Sequence, residues 1–463
     1  MEMTERDLDL QRDMATVRSI ADDVGRLRAL RLELDASGEF RRRGYFTPEE
    51  DDAARRLLLL YRNYRIALFD VISRCQTFDQ ITDPRERRLT FLVGYGAAVL
   101  MYNWSATLVD AYRDEDMIRR KLNEPDKRYD IEANLFERIH ESLTSTDNLR
   151  RLHDAGGYFA SQQETLIADV AGDPIARWLL DEVHRQRARI ETSWTNILTE
   201  RVLREVRSWR WTARDDLAEV SFRLKALLID WVGNIWYDRH PRIPRYQLQR
   251  LQRLMQPGDV IFVRPERKSS TIFLPGWWTH AAYYHGGSTG LEAGGFHDLP
   301  PVKQHWPEVL QLIDGQAVTV VEALSAGVVQ NPLSHTLGVD HTVIFRPRYG
   351  KAEHATAMAS VFANIGKEYD FEVDFTRTDR LVCTEVLYRA MNGLGNVHFD
   401  LVSRLGKPTL TADDMVRQIV AASDAGAPIM DLVAISVRDF QRNRSRLYTG
   451  PDAHDKMRAT IAT

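Results

Sequence analysis

Along the first half of the chain, apolar residues return every three or four positions, the period of helices that bury one face. Val17, Ile20, Val24, Leu27 and Leu34 form one such stripe. Two more run through Trp194, Leu198, Val202, Val206 and Trp209, and through Leu217, Val220, Leu224, Leu227, Trp231 and Ile235. Helix starts are signalled as well. Thr47-Pro48-Glu49-Glu50 is a capping box with proline at the first helical position, and Asp83-Pro84 and Asp173-Pro174 repeat the cap-then-proline signal. Residues 89–109 approach the ~20 apolar residues that a bilayer crossing needs. Asn103, Ser105, Thr107 and two glycines dilute that segment, which favours a central helix buried on all sides over a stable membrane span. No fixed-period repeat interrupts the pattern. An α-helical domain over residues 1–245 is the expectation, closing where Pro241 and Pro244 punctuate the chain.

Beyond those prolines the period shortens to two. Gln256-Pro257-Gly258-Asp259 reads as a turn into the strand Val260-Ile261-Phe262-Val263. A second strand is expected within residues 275–284, with His280, Ala282 and Tyr284 on one face. Val318, Val320 and Glu322 alternate along a third, and Thr342-Val343-Ile344-Phe345 is a fourth that stops at Pro347. A helix over 352–365 leads through Gly366 to Tyr369-Asp370-Phe371. A second helix then opens near Cys383, with Val386, Leu387, Ala390 and Met391 on its apolar side. Strands followed by helices predict an α+β domain over residues 246–440, with 441–463 left as a tail.

Composition narrows the class without changing this picture. A chain of 463 residues is too long for one ordinary core, and 44% hydrophobic with 28% charged residues is the balance of a soluble globular protein. A formal net charge of -4 gives no electrostatic reason to expect nucleic acid. With Cys75 and Cys383 as the only cysteines there is no disulfide framework, and the charged opening residues do not make the apolar core of a secretory signal. A cytoplasmic location is the expectation. His285, His297, His305, His335 and His341 fall in no HExxH pattern and no CxxC accompanies them, so neither a metal nor another cofactor is expected. Gly286-Gly287 and Gly294-Gly295 lack the following Lys-Ser/Thr of a phosphate loop.

The chemistry concentrates at Cys383. A thiol at a helix N-terminus meets unpaired N–H groups and a partial positive charge, both of which favour the thiolate. A cysteine nucleophile also needs an imidazole and a polar group that fixes the imidazole tautomer. Cys383, His280 and Glu322 supply one of each. The plain alternatives stay open on spacing alone: Cys383 as a small buried hydrophobe, Glu322 pointing into solvent, and Trp277-Trp278 as ordinary packing.

Taken in order, Pro257-Gly258-Asp259-Val260-Ile261, Trp278-Thr279-His280-Ala281-Ala282, Val321-Glu322-Ala323, Gly327-Val328-Val329 with Pro332-Leu333, Gly366 to Phe371, and Leu381-Val382-Cys383-Thr384-Glu385-Val386 resemble successive motifs of a known group. That group is the permuted papain-like enzymes of the YiiX/YaeF type, a branch of the NlpC-type superfamily related to lecithin:retinol acyltransferase-like proteins. Here the histidine precedes the cysteine, the reverse of papain's order. The resemblance implies a circularly permuted papain-like fold, a small mostly antiparallel sheet with the cysteine helix packed on it. It makes Cys383 the nucleophile, His280 the general base and then acid, and Glu322 the orienting group. Tyr369 is implied as a residue lining the oxyanion site, with a strand-packing aromatic as its plain alternative; Trp278 reads, apart from the resemblance, as an aromatic wall beside the cleft or as ordinary packing. Thr384 and Val386 depart mildly from the group's commoner Cys-Ser-Glu-Leu form. A larger departure is the insertion over 286–317, where Leu291-Glu292-Ala293 makes Glu292 a rival third member. The activity implied is a cysteine-dependent hydrolase cleaving an amide bond of a peptide or acyl-lipid. An acyltransferase on the same site and an inactive binding module on a helical scaffold are the alternatives.

Overall fold

The computed structural model describes residues 4–37, 39–126, 129, 131–193, 243–265, 276–439 and 444–461. The chain divides into two compact units, Asp9–Trp236 and Tyr237–Thr463 with Met1–Leu8.

The first unit is helical among its described residues. Its longest helices, Pro48–Cys75 and Pro84–Tyr112, pack on each other. Their starts follow from their caps. Thr47 accepts the Glu50 N–H at 3.3 Å while the Glu50 carboxylate accepts the Thr47 N–H at 2.7 Å, and Asp83 accepts from Glu86 at 2.7 Å. Asp173 caps helix Pro174–Gln186 through the N–H groups of Ile175 and Ala176. Helix Pro84–Tyr112 is long and apolar enough to cross a membrane, and 89% of its apolar window is buried. Gly94 allows the close approach on one side: a Cβ there would stand 2.8 Å from that of Cys75, which is itself buried.

The first apolar stripe is corrected at Val24. The chain turns at Asp23, whose carboxylate accepts the Tyr64 hydroxyl at 2.7 Å, and separate helices Glu5–Asp22 and Val24–Ser37 result. The turn resets the helical phase, so Val17, Ile20, Leu30 and Leu34 are buried while Val24 is exposed. The stripes from Trp194 to Trp209 and from Leu217 to Ile235 lie outside the described residues.

The second unit is built on an antiparallel sheet. Its strands are β1 (Val260–Arg264), β2 (His280–Tyr284), β3 (Leu312–Ile313), β4 (Gln316–Leu324), β5 (Gly327–Pro332), β6 (His341–Pro347), β11 (Met430–Asp439) and β12 (Arg444–Tyr448). Their order is β12-β11-β6-β1-β2-β4-β3, with β5 also paired to β4. Ile261, Ala282, Tyr284, Val320, Ile344 and Ala434 carry one face of it into a common core with Leu251 and Leu333. The turn before β1 is fixed by Asp259, which accepts the Gln256 N–H at 2.8 Å and pairs with Arg346 of β6 at 2.7 Å. Away from this sheet, β7 (Glu368–Tyr369) and β8 (Arg380–Leu381) form a short parallel pair, and β9 (Val402–Arg404) and β10 (Lys407–Thr409) form a hairpin.

Two expectations change here. The second strand opens at His280 and not within the Gly276-Trp277-Trp278 run. Gly276 has φ +123°, and the Asp413 carboxylate takes the N–H groups of Trp277 and Trp278 at 3.1 and 3.3 Å that a strand would have given to a neighbour. Within the stretch left as a tail, residues 444–461 are ordered into two elements. β12 pairs with β11 and helix Pro451–Ile461 follows, burying Ala453 and Met457. The insertion over 286–317 folds into helices Gly287–Gly294, Pro300–Gln304 and Trp306–Val309 and strand β3.

Candidate active site

β2 and β4 pair antiparallel with Ala282 opposite Glu322. His280 lies two residues before Ala282, so the pleat places it on the face of Glu322, one diagonal step away. Their side chains meet: His280 Nε2 donates to Glu322 Oε2 at 2.7 Å. Cys383 is the first residue of helix Cys383–Met391, which packs against both strands and buries Val386, Leu387, Ala390 and Met391. Val382 caps this helix without a side-chain hydrogen bond. The first N–H groups of a helix have no acceptor within it, so those at Cys383 remain as donors beside the sulfur. With Nε2 given to Glu322, Nδ1 is the ring nitrogen left for Cys383, whose sulfur acts electrostatically on the imidazole.

The electrostatics follow from these contacts. Burial alone would push the His280 pKa down. The Cys383 sulfur opposes this most strongly, Glu322 adds to it, and the imidazole is raised from 6.5 to about 10. Glu322 is 2% exposed, and burial works against its charge. The hydrogen bond from His280, with the imidazole of His335 nearby, outweighs that cost and holds it well below the usual carboxylate range. Asn331 Nδ2 at 2.5 Å and Thr336 Oγ1 at 2.9 Å also donate to its Oε1, and His335 Nδ1 lies 3.6 Å from the same oxygen. Burial, with the nearby Cys383 and Asp370, pushes the Tyr369 phenol well above its usual value, so it stays a neutral hydroxyl.

Behind the sulfur, Glu385 is fully buried and its pKa is pushed up to about 7 by that burial, against the pull of Arg389 at 2.6 Å. Arg389 in turn donates to the carbonyls of Phe375 and Arg377. Asp370, raised by burial to about 6, accepts the N–H groups of Glu372 and Asp374. These bonds wrap the chain around Val373, a β-branched residue held at φ +55°. The segment that leads from Tyr369 to Cys383 is therefore pinned at both ends.

Of the residues expected from sequence, Cys383, His280 and Glu322 come together and Tyr369 lies near the sulfur. Trp278 is fully buried and packs edge-on against Trp277 at 4.7 Å. Glu292 does not compete with Glu322: it sits on the exposed side of helix Gly287–Gly294, and Glu322 is the carboxylate bound to His280. Sequence reasoning missed Asn331, His335 and Thr336. The available signal was a polar residue in the strand ahead of Pro332, inside a motif already singled out for its glycine and proline. It missed Asp413 too, a first-turn helix residue whose partners lie far back in the chain.

Residues 254–440 match the model of a protein family described as permuted papain-like amidase enzyme, YaeF/YiiX, C92 family. Comparisons with curated proteins and with solved structures gave no match.

Proposed function

Because residues 254–440 match the model of the permuted papain-like YaeF/YiiX amidase family, we propose that this protein is a thiol hydrolase that cleaves an amide bond by acyl transfer through Cys383, His280 and Glu322. The observation that supports this most is the 2.7 Å bond from His280 to the buried Glu322, with Cys383 acting on the same imidazole from the start of a helix. A histidine raised to about 10 is a cation beside the sulfur across the neutral range, the kind of partner that activates a cysteine nucleophile.

The steps follow from the geometry. The Cys383 sulfur attacks the carbonyl carbon, forming a C–S bond and moving the carbonyl electrons onto oxygen. N–H groups at the start of the cysteine helix receive that oxyanion, with the neutral Tyr369 hydroxyl as a further donor. His280 Nδ1 gives its proton to the amide nitrogen as the C–N bond breaks and the amine leaves. Water then attacks the thioester, His280 takes the water proton, and the acid departs from the regenerated sulfur. Glu322 keeps the proton on Nε2 throughout, so that Nδ1 does the transferring. The substrate class is an amide of a peptide or of an acyl-lipid.

The test is incubation of the full chain with a library of electrophilic acyl probes spanning peptidyl and fatty-acyl groups, read by mass spectrometry. Labelling of Cys383 that is lost in His280→Ala, with one acyl class preferred, is the expected result. Equal labelling of Cys75 and Cys383, indifferent to the acyl group and to His280, would overturn the proposal.

A further inference from the structure

The two oxygens of Glu322 are divided between two tasks. Oε2 accepts from His280, while Oε1 accepts from Asn331 and Thr336, which are both buried. β5 brings Asn331 to the carboxylate by pairing with β4. Pro332 ends that strand and opens the short helix Leu333–Thr336, whose single turn returns Thr336 to the same oxygen. Asn331 is fully buried, and its Oδ1 has no hydrogen-bond partner. Its amide is therefore oriented by the carboxylate alone, and it carries a desolvation cost that a leucine of similar volume would not. What the leucine would lack is the N–H aimed at Oε1.

We propose that Asn331 and Thr336 are positioning residues for the cysteine chemistry: by donating to Oε1 they hold the Glu322 charge and keep Oε2 on the Nε2 side of His280, so that Nδ1 faces Cys383. This rests on the reading of Cys383, His280 and Glu322 as a triad. The titratable groups that face Glu322 are His280 from β2 and His335 from helix Leu333–Thr336. Cys383, from the helix packed on β2 and β4, acts on Glu322 through His280. Replacing either donor leaves a buried carboxylate with fewer hydrogen bonds, which favours its protonated form and weakens its hold on the imidazole.

The experiment uses the full chain with Asn331→Leu, Thr336→Val and Glu322→Gln variants. It follows the His280 titration by NMR of the ring Cε1–H and the iodoacetamide reaction of Cys383 at pH 7. In Asn331→Leu the melting temperature stays level or rises, the His280 midpoint falls by about one pH unit, and Cys383 alkylation slows about tenfold. Thr336→Val, which removes one hydroxyl at constant volume, shifts the same readouts less and carries the test should Asn331→Leu fail to fold. Adding Asn331→Leu to Glu322→Gln changes little further. Variants that lose melting temperature while keeping the wild-type His280 midpoint and alkylation rate would overturn the inference and leave the triad standing. A wild-type His280 midpoint near 6.5, with alkylation indifferent to His280, would instead remove the triad reading on which the inference depends.

Discussion

Glu322→Gln is the most discriminating change at the site, because the neighbours of the carboxylate decide how the glutamine sits. Asn331 and Thr336 are both donors to Oε1 and require an acceptor there. The side-chain oxygen of the glutamine therefore stays on their side, and its NH2 group replaces Oε2 against His280 Nε2. An NH2 group donates, so Nε2 must become the lone-pair nitrogen and the neutral ring keeps its proton on Nδ1, the tautomer that turns the lone pair away from Cys383. Two losses add. His280 is raised from 6.5 to about 10, worth about 5 kcal/mol at 1.36 kcal/mol per pH unit, with the sulfur contributing more of it than Glu322. Losing the charge-assisted bond to Glu322 forfeits roughly 1.5–3 kcal/mol of that sum, lowering the midpoint by about one to two pH units. The inverted tautomer costs more: in the serine-protease triad the corresponding acid-to-amide change lowers turnover about 10⁴-fold. Glu322→Gln is thus expected to slow acylation of Cys383 by the best acyl probe about 10³–10⁴-fold, with Glu322→Ala, which imposes no tautomer, less affected. The assay is the second-order inactivation rate measured alongside the melting curve. A glutamine variant that folds and reacts within about threefold of wild type would refute the reasoning.

Two further changes test how the frame is built. Gly327 has φ +110°, and a Cβ there would stand 2.4 Å from the Lys367 carbonyl oxygen, so Gly327→Ala should cost about 2 kcal/mol or more. It should also slow probe labelling by displacing the 366–369 segment that carries Tyr369; an unchanged melting curve would contradict this. In the helical unit, Thr47→Ala removes one half of a capping box and should lower stability by about 1 kcal/mol in a denaturant titration, with no effect on Cys383 labelling.

The parts legible in the sequence are those where one local period carries the answer. Alternation along β4 put Glu322 on one face, the helical stripe after Cys383 put its sulfur at a helix start, and proline-marked caps located the long helices of the first unit. What stayed hidden depends on pairing between distant segments. Asn331 means little until β5 lies against β4, and Asp413 means little until Trp277 and Trp278 turn toward it. β12 was read as tail because Arg444, Arg446 and neighbouring polar residues suit an exposed sheet edge and mask its alternation. Val24 shows the opposite error: a stripe read as continuous is broken by the single turn at Asp23.

The central claim is that Cys383 reacts as the partner of a protonated His280, and the pH profile of iodoacetamide alkylation tests it most directly, with buried Cys75 as internal control. His280 carries its proton below about pH 10 and loses it above. The effect of removing it should therefore be large in acid and vanish in alkali. Cys383 should alkylate readily at pH 6 and at least about tenfold more slowly in His280→Ala, a gap of one pH unit or more in reactivity. The two curves should converge near pH 10, where His280 gives up its proton. Curves for Cys383 that coincide in wild type and His280→Ala at every pH, and track Cys75, would contradict the account.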